Sequence, residues 1–246
     1  MIKVLRAAQR PRLKGQLYET FSFLPFYGGY VKPFGDLVGI EEVIVSPGGS
    51  LQPDNQEMDF FILGRKGYFD LLGDEIDSRS LRKNCCLTMR AGAEPIGFKN
   101  GGAHGLASLL SLAFRPGEIV IPPGAERFAD HVLKGSRTEF LTLASASDDE
   151  RALPLSLDAV VSLVQIGNGE RFVFETEPAR RVLVIVLKGT MDVDEHRLRD
   201  NDSLMVMGEP MVTFRSSAQT RMLIVDLPEY HSPTELLERN ATDLKA

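Results

Sequence analysis

The chain contains few of the residues that hold transition metals in proteins. Its only cysteines are Cys85 and Cys86, which are adjacent, and it has four scattered histidines. No further Cys or His pair stands at ligand spacing, so the pattern excludes an ordinary zinc site. We expect two reduced, apolar cysteines on a strand, one buried and one not, because neighbouring strand residues face opposite sides. A vicinal disulfide or a redox-active pair is the alternative.

Long apolar runs and a strong charge imbalance are also missing. No apolar run approaches the ~20 residues of a membrane-spanning helix, and the stretch from Met1 to Arg10 lacks the apolar core of a signal peptide. The net charge of −6 does not favour nucleic acid or an anionic membrane as a partner. These features predict a cytoplasmic protein without a membrane or nucleic-acid partner.

The apolar segments that are present recur in two halves of the chain. Met58 to Asp70 contains an apolar run, a Gly-Arg-Lys-Gly turn and a second short run, and Arg181 to Asp192 repeats this pattern. Short apolar runs around glycine predict two strands joined as a β-hairpin. A Glu-Pro pair follows each copy, at Glu94-Pro95 and Glu209-Pro210. Two copies of one all-β unit explain this order.

The repeat divides the chain into an N-terminal unit, residues 1–120, and a C-terminal unit, residues 121–246. The C-terminal unit ends with signals for a short helix over about 233–244. Ser232 is a suitable N-cap, Pro233 suits the first helical position, and Glu235 completes a capping box.

Several short motifs follow one another in the first half. They are Thr20-Phe21-Ser22-Phe23, Phe34-Gly35-Asp36-Leu37, Ser46-Pro47-Gly48-Gly49, Gln52-Pro53 before Asp59, and Arg90-Ala91-Gly92. In this order they resemble the pirin family, from about Arg6 to Phe114, and Leu223 to Pro228 continues the likeness. The resemblance implies an all-β fold of two cupin-type (RmlC-like jelly-roll) β-barrels. It also implies iron or another divalent metal in the first barrel, held by a His-x-His pair, a glutamate and a later histidine.

The sequence departs from that implied ligand set. Gln52 and Asp54 stand where the His-x-His pair is expected, Asp59 where the glutamate is expected, and the later histidine falls near Phe98. The histidines of this chain, which lie elsewhere, are His104, His131, His196 and His231. Imidazole usually holds catalytic iron, zinc or copper in such barrels, so we expect no metal and no cofactor.

Carboxylates near the same positions leave an alternative open. Asp54, Glu57, Asp59 and Glu94 could converge and hold a hard cation such as magnesium or calcium. The favoured interpretation is that they are solvated charges in loops and at strand ends.

Two functions follow from the resemblance. Metal-bearing relatives act as quercetin-type dioxygenases, but oxygen chemistry needs a metal or another redox cofactor. We therefore favour a non-catalytic small-molecule-binding or regulatory bicupin with a degenerate metal site. The alternative is a metal-dependent quercetin 2,3-dioxygenase-type oxidoreductase with an atypical carboxylate site. A ligand would occupy the mouth of the first barrel near Gln52, Asp54, Asp59 and Phe98, where an inward Phe98 ring would partly fill the cavity.

Overall fold

The computed structural model describes residues 1–24, 26–27, 30–31, 33–52, 58–72, 80–90, 97–119, 126–130, 136–147, 151–177 and 179–229. Within these ranges the chain consists mainly of β-strands, with one 3₁₀ helix, Ala7–Gln9, and no α-helix. The all-β fold class is confirmed. The helix predicted over 233–244 lies outside the described residues. No helix in the described ranges is long and apolar enough to cross a membrane.

The strands are numbered in chain order. The first fourteen are β1 (Ile2–Leu5), β2 (Arg12–Lys14), β3 (Tyr18–Ser22), β4 (Phe26–Tyr27), β5 (Tyr30–Val31), β6 (Leu37–Val45), β7 (Ser50–Leu51), β8 (Asp59–Lys66), β9 (Tyr68–Leu72), β10 (Ser80–Arg82), β11 (Cys85–Arg90), β12 (Gly97–Asn100), β13 (Ala107–Phe114) and β14 (Glu126–Asp130). The others are β15 (Glu139–Ser145), β16 (Leu153–Pro154), β17 (Val160–Ile166), β18 (Arg171–Glu175), β19 (Arg180–Lys188), β20 (Thr190–Val193), β21 (His196–Arg199), β22 (Ser203–Met207), β23 (Met211–Ser216) and β24 (Thr220–Pro228).

Each half of the chain builds one large and one small sheet. In the first half a seven-stranded sheet, β14-β11-β8-β13-β6-β3-β2, accompanies a four-stranded sheet, β10-β9-β12-β7. In the second half the corresponding sheets are β1-β22-β19-β24-β17-β15-β16 and β18-β23-β20-β21. An apolar core lies between the large and small sheet of each half. The two predicted cupin-type barrels are therefore present.

The strand orders match between the halves, with one exchange. Strand β14 pairs with β11 at the edge of the first large sheet, and β1 pairs with β22 at the equivalent edge of the second. The N-terminal strand thus completes the second barrel, while a strand beyond residue 120 completes the first. We propose that β1 belongs to the C-terminal unit and β14 to the N-terminal unit.

The hairpin prediction is wrong in both copies. Strand β8 pairs with β11 and β13, whereas β9 pairs with β10 and β12 in the opposite sheet. Gly67 and Gly189 stand at the two junctions with φ of 66° and 106°, a backbone conformation that favours glycine. The turn carries the chain around a corner between sheets because β8 and β19 are central strands whose two edges are already paired.

The large sheets of the two halves pack against each other. On β8, Phe60 and Ile62 point into the first barrel, while Phe61 and Leu63 join a second core shared with the other half. A strand covered on both faces reads as a continuous apolar run rather than as an alternating one.

The two cysteines show the same arrangement. Cys85 lies in the first-barrel core and Cys86 in the core between the halves, and both are buried and free. The expectation that one would be exposed is wrong because β11, like β8, has a core on each side.

Candidate functional site

Asp59 is held in an ion pair rather than left open for a ligand. Asp59 and Arg90 are register partners on β8 and β11. Arg90 donates from Nε to Oδ1 at 2.5 Å and from Nη2 to Oδ2 at 2.9 Å. This bidentate pair is the strongest geometry available to a carboxylate, and the hydrogen bond to Asp59 raises the pKa of Arg90.

Asp59 also joins the first half of the chain to the second. Ser156 donates a hydrogen bond from Oγ to the Asp59 carboxylate. The Ser156 Oγ in turn accepts from the backbone N–H of Gly117 at 2.7 Å. Because side chains alternate along β8, Asp59 shares the face of Phe61 and Leu63, which packs on the other half. Its environment is therefore the junction between the barrels.

Phe98 faces the other way, into the first barrel. Its side chain is 4% exposed and belongs to the apolar core of that barrel. The Phe69 ring meets it edge-on at a centroid distance of 6.3 Å. The structure thus does not bring Asp59 and Phe98 to one cavity. Gln52 is exposed beyond the end of β7, and Asp54, Glu57 and Glu94 lie outside the described residues.

Glu41 supplies a carboxylate to the first barrel that the sequence analysis did not select. On β6 it shares a face with Val43 and Val45, which line the barrel core. Its register partners on the flanking strands are Ser22 and Ser111. No hydrogen bond or ion pair links the Glu41 carboxylate to another described residue. Burial raises the pKa of this carboxyl above its ordinary value of 4.5.

Glu41 lies in the half of the barrel where the mouth was predicted. Its neighbour Gly39 pairs with Ala113, and the next residue of β13, Phe114, pairs with Asp59 at the start of β8.

A signal for Glu41 was present in the sequence. Glu41 and Glu42 are adjacent in an otherwise apolar strand, so they must face opposite sides. Glu42 faces the junction, where it accepts hydrogen bonds from Arg65 at 2.7 Å and from Arg10 at 3.1 Å. One of the two carboxylates must then enter the barrel.

The described residues do not assemble a metal site. No group of three or more His, Cys, Asp or Glu side chains comes together among them. At the family-like positions they offer an exposed amide, a carboxylate bonded to Arg90 and a phenyl ring. Glu41 by itself is one ligand. These side chains do not fit an imidazole-held iron or nickel, and the expected absence of a metal stays a prediction.

Comparison with known proteins agrees with this architecture. Residues 142–227 match the family model of the quercetinase C-terminal cupin domain. The structure is similar to the bacterial pirin YhhW from Escherichia coli, solved in complex with nickel(II), with a TM-score of 0.81 and 18% identity over 93% of this chain and 99% of that one. This chain has the fold of a pirin-like bicupin.

Two further solved structures share this fold. YhaK from Escherichia coli gives a TM-score of 0.70 at 17% identity, over 87% of this chain and 94% of that one. Quercetin 2,3-dioxygenase from Acinetobacter baumannii gives 0.69 at 14% identity, over 100% and 97%. The comparison with curated proteins found no match. At these identities the likeness establishes the fold.

Proposed function

We propose that this pirin-like bicupin is a non-catalytic binding or regulatory protein that takes a small polar molecule in its first barrel. The observation that carries the proposal is Glu41, a half-buried carboxylate on the barrel face of β6 without a partner among the described residues. Withdrawing a carboxylate partly from water without a hydrogen-bond partner costs free energy, and the cost rises with burial. A ligand with hydrogen-bond donors offsets that cost, and Ser111, the register partner of Glu41 on β13, places a hydroxyl beside it.

The proposal includes a first barrel without a transition metal. The Asp59 carboxylate is bonded to Arg90, and Phe98 occupies core volume instead of presenting a ligand atom. A metal-dependent quercetin 2,3-dioxygenase is the competing function, supported by the family match over 142–227 and by the fold. A dioxygenase of this kind would require metal ligands from Asp54, Glu57 or Glu94 in addition to the side chains of the described residues.

Metal loading separates these two functions. The purified protein is incubated with Fe(II), Ni(II) or Cu(II), desalted and analysed for metal, and quercetin consumption is followed by absorbance. We expect much less than one metal ion per chain and no consumption of quercetin. About one ion per chain, with quercetin turnover that Glu41→Gln abolishes, would instead establish the dioxygenase.

Ligand binding tests Glu41 directly. Small amines and hydroxylated aromatic compounds, including quercetin, are screened by the shift they cause in the thermal midpoint. A ligand at 100 times its Kd stabilises the folded state by about 2.7 kcal/mol. We expect hits that Glu41→Gln loses and that Glu19→Gln, a change at a β3 carboxylate already bonded to Arg12, retains. Hits that persist in Glu41→Gln would show that this carboxylate does not bind the ligand.

A further inference from the structure

A cavity lies where the two halves meet, and Glu41 is not among its lining residues. Its volume is about 350 Å³. It is lined by the ends of β8 and β19, the turn before β11, and residues of β17 and β24. The lining includes Leu63, Arg65, Lys83, Leu163, Lys188 and Arg221.

The charge of this lining is of one sign. Arg65, Lys83, Lys188 and Arg221 are cationic, and no described lining residue is a carboxylate. Lys83 and Lys188 are exposed at the rim, and neither forms an ion pair with another described residue. Like charges around one cavity repel each other, and the repulsion grows as the local dielectric constant falls.

The two arginines are held in fixed positions. Arg65 donates from Nη1 to Asn201 Oδ1 at 2.8 Å and from Nη2 to the Leu187 carbonyl at 2.9 Å, in addition to its bond to Glu42. Arg221 donates from Nε to Gln165 Oε1 at 2.9 Å. Rigid guanidinium groups are well suited to bind carboxylate or phosphate.

The Glu42 carboxylate does not cancel the charge of Arg65. The Glu42 carboxylate that faces Arg65 also pairs with both Nη atoms of Arg10 at 3.1 Å. One carboxylate is therefore shared by two guanidinium groups. Arg65, Arg10 and Glu42 together carry a net positive charge beside the cavity.

Three leucines provide an apolar part of the lining. Leu63 and Leu163 are buried, and Leu187 is partly buried against the core between the halves. The cavity therefore combines cations at the rim with an apolar floor. Its volume lies at the small end of the range for ligand pockets, about 300–1,000 Å³.

We propose that this cavity binds a small amphipathic anion, with a carboxylate or phosphate head between the cations and an apolar body on the leucines. The site is formed jointly by the two barrels, since Lys83 and Lys188 come from different halves. A bound anion would neutralise the repulsion and link the barrels.

Calorimetric titration tests the proposal with three probes, 1-naphthoate, phenyl phosphate and inorganic phosphate. We expect at least one of the organic anions to bind, more weakly as salt is raised, and inorganic phosphate to bind much less tightly. The two organic probes distinguish a carboxylate ligand from a phosphate ester. Absence of binding by both organic anions, or equally tight binding of inorganic phosphate, would overturn the proposal.

Variants of the two exposed lysines test which residues bind the anion, because replacing an exposed lysine leaves the folded core intact. The double variant Lys83→Gln/Lys188→Gln should weaken binding of the organic anion about tenfold, equivalent to about 1.4 kcal/mol. The matched control, Lys14→Gln/Lys99→Gln, removes the same charge from other surfaces and should change binding less than about twofold. Equal weakening by both pairs would refute the site. Glu41→Gln should bind the anion as the wild type does, so this result is independent of the proposed first-barrel ligand.

Discussion

Replacing Phe98 with alanine should lower the free energy of unfolding by about 3–5 kcal/mol. The ring is 4% exposed and meets Phe69 edge-on. An aromatic side chain buries about 150–250 Å², which at ~25 cal/mol per Å² corresponds to about 4–6 kcal/mol as an upper estimate. The expected loss is somewhat smaller than this upper estimate because the neighbouring side chains relax partly into the space.

Urea unfolding followed by far-ultraviolet circular dichroism measures this loss, since the chain contains no tryptophan. The control is Phe140→Ala. Phe140 is 49% exposed and stacks on Phe172 at 6.1 Å, so its replacement should cost about 1 kcal/mol or less. A Phe98→Ala variant that loses no more than the control would refute the assignment of Phe98 as a plug of the first barrel.

Three further predictions concern single positions. Asp59→Ala should lose about 3 kcal/mol of unfolding free energy, measured in urea, because it leaves Arg90 without its counter-ion. The double variant Asp59→Ala/Arg90→Met should recover part of this loss. A double variant as unstable as Asp59→Ala would contradict the prediction. The pKa of Glu41 is raised in the folded chain, which therefore keeps a proton that the unfolded chain releases near pH 4.5. The wild type should consequently lose stability relative to Glu41→Gln as pH rises above 4.5. A stability difference between the two that is independent of pH would contradict this prediction. Gly189→Ala should lower the free energy of unfolding clearly more than Gly169→Ala, for which we expect about 1 kcal/mol. Both glycines have positive φ, but only at Gly189 would a Cβ come within 2.6 Å of a threonine hydroxyl. Equal losses would show that the close contact relaxes.

The sequence was sufficient to predict the fold class and its duplication. Short apolar runs interrupted by glycine and proline are too brief for helices, and their recurrence at Met58 to Asp70 and Arg181 to Asp192 predicted two all-β units. The order of the pirin-like motifs predicted the cupin-type barrels. These features are local or simply repeated along the chain, so no knowledge of distant contacts was required.

Strand pairing depended on the tertiary structure. The motif around Gly67 is compatible with a hairpin and with a corner between sheets, and its local geometry does not distinguish them. The choice depends on whether β11 and β13 already occupy both edges of β8. The exchange of β1 and β14 between the barrels is likewise a contact between distant segments, for which the sequence carries no local signal.

For the candidate site, too, one part follows from the sequence and the other from the tertiary structure. The sequence determines that Glu41 and Glu42 face opposite sides, as do Asp59 and Phe60, because side chains alternate along a strand. Which side is the barrel interior is decided only when the two large sheets pack together. That packing turns Asp59 toward Arg90 at the junction and Glu41 into the barrel, because each of these strands has a core on both faces.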